Sequence, residues 1–271
     1  MKVKIALIFF ILNFSISLSQ EIGLQLWSLR NQFETDVEKS LSIINSWGIK
    51  YVEGGSTYGL SEDYFFKLLK KYDIKTVSIG VSYDDLRDDI DKVIKQVKKY
   101  DVKYVTCTWI PHEGKFSINH VKQALLVFNK AGKILNELGI TLTYHPHGYE
   151  FSNYNGSTLF DQLAINSKNF SFQMDVFWVY HGGVDPISLL DKYPGKFPLF
   201  HLKDMKIGVV GDKSGSQDVE TSVTLGKGQI DIESIVKKAT KQGAKYFFIE
   251  DESSLVLDQV PLSLKFLNSI N

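Results

Sequence analysis

The sequence predicts a single (β/α)8 barrel preceded by a short export segment. Three observations point there: eight short apolar runs, amphipathic helical segments between them, and polar residues gathered where the runs end. The strand-like runs are Ile22 to Trp27, Tyr51 to Glu53, Thr76 to Val81, Tyr104 to Thr108, Ile140 to His145, Phe170 to Asp175, Pro198 to Leu202 and Tyr246 to Glu250. Between them, apolar residues recur at helical spacing in Val37-Leu41-Ile44 with Trp47, Phe66-Leu69, Ile90-Val93-Val97 and Val121-Leu125-Phe128-Ala131-Ile134-Leu135. Gly48, Gly139 and Gly243 each sit where a helix end needs a left-handed residue before the next strand. No Pro/Gly/Ser-rich linker divides the chain, so residues 20–271 read as one domain. An open doubly wound sheet is the alternative, but no strand leads into a glycine-rich dinucleotide or P-loop signature.

Residues 1–19 carry Lys2 and Lys4, an apolar run from Ile5 to about Leu18, and the small residues Ser17 and Ser19. That order is expected of a secretory signal cleaved after Ser19, giving a mature chain from Gln20 that is periplasmic or secreted. The run is shorter than the roughly 20 apolar residues of a membrane span, with an uncleaved anchor as the alternative. No stable membrane insertion is expected after cleavage. Cys107 is the sole cysteine, so an internal disulfide is excluded and the core alone must stabilise the fold. Lys+Arg and Asp+Glu both number 31, which removes the electrostatic case for a nucleic-acid partner. Assembly into oligomers is left open. The triplets beginning at Asn155 and Asn169 match glycosylation sequons, which matter only in a eukaryotic secretory route.

Barrel sites form at the carboxyl ends of the strands. There the sequence places Glu53 on the second run, His145 and His147 at the fifth, Asp175 on the sixth, His201 on the seventh and Glu250 on the eighth. Imidazole mixed with carboxylate suits one divalent ion such as Mn, Co, Zn, Fe or Mg, and argues against Ca or thiolate-bound zinc. Any one of these residues alone is as well explained as a cap or loop hydrogen bond. Several on successive strands are not, because buried carboxylates without partners are costly.

The motifs GLQLWSLR (23–30), GIKYVEGG (48–55), YHPHGYEF (144–151), MDVFWVYHGGVDP (174–186), FHLKDM (200–205), LGKGQIDI (225–232) and FIED (248–251) together resemble the xylose isomerase-like TIM barrels, the sugar phosphate isomerase/epimerase group. The resemblance implies a divalent metal held by an acidic residue after strand five, Asp after strand six, His after strand seven and Glu after strand eight. By motif match Asp175, His201 and Glu250 take the last three roles. Strand five departs from the pattern, offering Thr143, Tyr144 and His145. Alternation puts His145 on the same face as Thr143, so His145 is expected as the replacement ligand, with Glu150 as competitor.

The expected chemistry is isomerisation or epimerisation of an unphosphorylated sugar or keto-sugar, by removing a proton beside a carbonyl. Glu250, with Glu150 or Glu53, would move protons. His147, His181 and Lys203 would meet sugar oxygens, although Lys203 reads equally well as a salt bridge to Asp204. Trp27, Trp109 and Trp178, with Phe177, would wall the site. Gly226 and Gly228 read as a turn bringing amides to the mouth, where related barrels grip phosphate. Export argues against phosphate, since sugar phosphates are scarce outside the cytoplasm. Dehydration of a keto-sugar on the same site, and carbohydrate binding without turnover, are the alternatives. A metal-dependent nuclease is disfavoured by the neutral charge.

Overall fold

The computed structural model describes residues 20–270, so the export segment read in residues 1–19 lies outside the described residues. Eight parallel strands close on themselves: β1 (Glu21–Gln25), β2 (Tyr51–Glu53), β3 (Lys75–Gly80), β4 (Tyr104–Cys107), β5 (Thr141–Tyr144), β6 (Ser171–Asp175), β7 (Leu199–Leu202) and β8 (Tyr246–Ile249). β1 pairs with both β8 and β2, which completes the ring. Each strand is followed by at least one helix, the longest being Ile118–Glu137 after β4. The eight expected units are therefore all present. Among the described residues no helix is long and apolar enough to cross a membrane.

Local chemistry explains the boundaries. β1 stops at Gln25 because its side chain accepts the Trp27 amide at 3.1 Å, turning Leu26–Leu29 into a tight helical turn. Asp36, Ser61 and Asp89 cap helix starts by accepting amides in the first turn. The expected stop residues Gly48 and Gly243 take φ values of 76° and 94°, a region that side chains with a Cβ avoid.

Side-chain alternation layers the barrel interior. At the amino-terminal end Leu199 and Phe248 pack with Val77, Tyr51, Tyr104 and Tyr246 into an apolar floor. Gly23 makes room for it, since a Cβ there would stand 2.6 Å from the Phe248 ring. Above lies a belt of hydroxyls, with Ser78 Oγ 3.0 Å from Thr106 Oγ1 and Thr106 Oγ1 2.8 Å from Thr143 Oγ1. Ionisable groups occupy the third layer, at the carboxyl ends. Two small hairpins decorate that end: Asn153–Tyr154 with Ser157–Thr158 after β5, and Asp204–Met205 with Ser222–Val223 after β7.

Candidate metal centre at the carboxyl end of the barrel

β5, β6 and β7 bring His145, Asp175 and His201 together, one ligand atom from each lying within 4.8 Å of the others. His145 follows β5 but extends its ladder, its amide donating to the Cys107 carbonyl at 3.0 Å. As expected from alternation, it shares the inner face with Thr143 while Tyr144 points outward against Phe128. Asp175 ends β6 and caps the helix Val176–His181, its Oδ1 accepting the Phe177 and Trp178 amides at 2.8 and 3.1 Å. Its other oxygen, Oδ2, is buried without a hydrogen-bond partner. That oxygen stands 3.7 Å from His145 Nε2 and 4.0 Å from His201 Nδ1.

Tautomers follow from the surrounding bonds. Gln173 donates its amide nitrogen to Glu53 Oε2 at 2.7 Å, which turns its carbonyl oxygen toward His145 Nδ1 at 3.3 Å. His145 Nδ1 must therefore carry hydrogen, leaving the Nε2 lone pair facing Asp175. His201 Nε2 meets Glu53 Oε1 at 2.9 Å and donates there. Its Nδ1 then faces Glu250 Oε2 at 3.1 Å and the bare Asp175 oxygen, and holds either a proton or a bond to a cation. Two imidazole nitrogens and an orphaned carboxylate oxygen aimed at one point are a donor set that fits a divalent transition metal. In a dry interior such an oxygen is otherwise costly.

The electrostatics single out His145 as a neutral donor. Burial, followed by the nearby His201 and His147, holds the His145 pKa well below the ordinary histidine value, so the ring is a neutral ligand. His147 is pushed down to about 4 by burial. Burial and the neighbouring Glu250 charge push Asp175 up. Burial opposes charge on Glu250, but His201 and Lys203 outweigh it and keep that carboxylate ionised. For His201 burial is likewise outweighed, by Glu250 and Glu53, so its pKa rises.

The remaining expected residues divide sharply. A cavity of about 360 Å³ opens above the centre, lined by Trp27, His147, Trp178, His201 and Glu250, all expected, together with Gln25, Thr108, Gly215 and Glu252. Glu250 lines this mouth and reaches His201, but stands outside the compact group of three. Lys203 is buried with Nζ 4.8 Å from the Phe177 ring centre and pairs with Glu252, whose other oxygen accepts from Trp27 Nε1 at 3.1 Å. The expected alternative bridge from Lys203 to Asp204 does not form: the Asp204 carboxylate is taken by the amides of Met205, Gly226, Gly228 and Ile230.

Glu53 is not free to act as a base. It accepts from Gln25 at 2.7 Å, from Gln173 at 2.7 Å and from His201 at 2.9 Å, and so orients the centre from beneath. Glu150 turns away from the mouth: one oxygen accepts the Tyr144 hydroxyl on the outer face of β5, the other the His147 amide at 2.8 Å. It therefore stands apart from the group formed by His145, Asp175 and His201 and from the lining of the mouth. His181 packs against Phe177 and opens instead to a separate depression beside Gly211. Trp109 stacks on His112 with ring centres 4.4 Å apart, outside the mouth cavity. The amides of Gly226 and Gly228 are taken by Asp204 Oδ2 at 3.0 and 2.8 Å, which leaves them nothing to offer a phosphate. Gln25, Gln173 and Glu252 are the functional residues that sequence reading passed over. Gln173 had a signal, standing two residues before Asp175 and hence on the same face.

The sequence profile of the xylose isomerase-like TIM barrels matches residues 41–270. No curated protein matches the chain in sequence. Among solved structures the fold is similar to a sugar phosphate isomerase/epimerase from Parabacteroides distasonis, with 20% identity, a TM-score of 0.74, and coverage of 94% of this chain and 96% of that one. It is similar too to the IolI protein with a bound zinc atom, with 15% identity, a TM-score of 0.72, and 93% and 98% of the two chains covered. A third likeness is to the probable 3-DHS dehydratase AsbF from Bacillus anthracis, with 14% identity, a TM-score of 0.66, and 93% and 100% covered. At these identities the solved structures speak for the fold alone. The profile match, spanning most of the sequence, places the chain in the xylose isomerase-like TIM barrel family.

Proposed function

We propose that the chain is an exported, divalent-metal-dependent isomerase or epimerase of an unphosphorylated sugar or keto-sugar, working by proton abstraction beside a carbonyl. The observation that carries this reading is the buried, unpartnered Asp175 oxygen facing His145 Nε2 and His201 Nδ1 beneath an open polar mouth. A divalent ion held by those three residues would supply polarisation of a carbonyl and its neighbouring hydroxyl. Glu250, ionised and lining the mouth, takes the proton. Once protonated, Glu250 can return the proton to the neighbouring carbon, while neutral His147, which also lines the mouth, offers a hydrogen bond to a sugar hydroxyl. Lys203, Glu252 and the Trp27 indole form a polar strip for sugar hydroxyls, and Trp178 supplies an apolar wall. Phosphate finds no free amides at Gly226 and Gly228, in keeping with an unphosphorylated substrate.

A dehydratase reading is favoured by one observation. Of the three glutamates expected to move protons, only Glu250 lines the mouth, and elimination needs one base together with an acid for the departing hydroxyl. Glu250, once it has taken the proton, can itself hand it to the departing hydroxyl. The test is to load the protein with Mn or Co, incubate it with D-fructose, D-tagatose and L-ribulose in D2O, and follow deuterium next to the carbonyl by NMR. Exchange with a new epimer or aldose supports the isomerase. Exchange with loss of water and an unsaturated ketone supports the dehydratase. Metal uptake without any exchange would leave a sugar-binding protein, and failure to take up metal would sink the proposal.

A further inference from the structure

Beside the mouth lies a second, larger groove of about 720 Å³, which none of the roles above uses. One wall is aromatic: the rings of His112, Phe116 and Tyr149 lie 4.9 to 5.3 Å apart, centre to centre. Polar groups share the lining, among them Asn153 after β5 and Asp212 and Ser214 from the segment after β7. An aromatic face beside hydrogen-bonding groups is the surface a pyranose ring needs, since its C–H face is apolar and its edge carries hydroxyls.

Two shared elements join this groove to the mouth. His147 lines the mouth and Tyr149 the groove, and their rings stack with centres 5.6 Å apart at 10°. Gly215 lines the mouth and its neighbour Ser214 the groove. A Cβ on Gly215 would stand 2.6 Å from the Tyr149 ring and 3.3 Å from His147 Cβ, so this segment lies flat across their boundary. The two cavities therefore meet along a common rim formed by His147, Tyr149 and the Ser214–Gly215 segment. The groove has twice the volume of the mouth, about 720 against 360 Å³, and so has space for a second ring.

Resting on the sugar-converting reading of the mouth, we infer that the substrate has two rings: the reacting sugar above His145, Asp175 and His201, and a second sugar held by the His112–Phe116–Tyr149 wall with Asn153, Asp212 and Ser214. The groove is then a specificity site, favouring disaccharides over free monosaccharides. The experiment is calorimetric titration of the Mn-loaded protein with D-fructose, with the ketose disaccharides lactulose and isomaltulose, and with p-nitrophenyl glucoside. At least one disaccharide is expected to bind 10-fold or more tightly than fructose, and in His112→Ala the ratio should fall toward 1. Asn153→Ala, a change at an exposed loop position, should lower the same ratio by about 3-fold and guards against a folding defect in the first variant. Fructose binding with no disaccharide gain would overturn the second ring while leaving the proposed function standing. A gain for the aryl glycoside alone would also overturn it, by assigning the groove to an aromatic group. If no sugar binds at all, both readings fall together.

Discussion

Asp175 and Glu150 are both fully buried carboxylates at the carboxyl end of the barrel, and they do opposite things. Glu150 has both oxygens engaged, by the Tyr144 hydroxyl and the His147 amide, and fastens the segment after β5 to the outer face of its strand. Asp175 spends one oxygen on a helix cap and leaves the other bare between two imidazoles. Burial alone therefore does not mark a ligand; a buried acceptor with nothing to accept does.

The largest effect should come from Asp175→Asn. The amide oxygen can keep the cap bonds to Phe177 and Trp178, so folding should survive, while elemental analysis should show bound metal falling from about one per chain to almost none. Retention of metal would erase the contrast. Glu53→Gln comes next, because one amide oxygen would then have to serve Gln25, Gln173 and His201. Metal affinity should drop by about 10- to 100-fold, as is usual when the partner of a ligating histidine is changed, and competition with a fluorescent chelator would measure it.

Glu150→Gln should leave metal affinity within about two-fold and act on stability instead. Burial lifts the Glu150 pKa from 4.5 to about 7, and the bonds from Tyr144 and His147 offset only part of that. With the folded value above the unfolded one, its contribution is fully present below about pH 4.5 and is lost as pH rises through about 7. The loss is about 3 kcal/mol at one pKa unit per ~1.4 kcal/mol. Urea unfolding at pH 5 and pH 8 should show the wild type weakening more than the variant across that interval. Smallest of all is Trp27→Phe, which removes a half-exposed hydrogen bond to Glu252 and should cost ligand affinity about five-fold at most, on the order of 1 kcal/mol.

The barrel was legible in the sequence because its signals are local. A strand of four or five apolar residues and a helix of apolar period each announce themselves within one turn, and Gly48 and Gly243 mark where one gives way to the other. Asp175 and His201 were legible from their places at strand ends and from motif match, and the inward face of His145 from alternation along β5. What escaped was whatever depends on two distant segments meeting. The saturation of Glu53 needs Gln173, 120 positions away, and the partner of Lys203 proved to be Glu252, 49 positions on. Glu150 followed the outward-pointing Tyr144, a consequence of the loop's path rather than of its residue types. The Asp204 bridge, the alternative expected for Lys203, fails on the same ground, since Asp204 is claimed by the amides of Gly226, Gly228 and Ile230, 22 to 26 positions on.

The apolar floor built by Phe248, Leu199 and the tyrosines around Gly23 has a consequence for traffic. A tube stoppered at one end has a single doorway. Substrate, product and the water that refills the mouth must all pass the rim where Gly215, His147 and Trp27 stand. One bound molecule must therefore leave by the same rim before the next can enter.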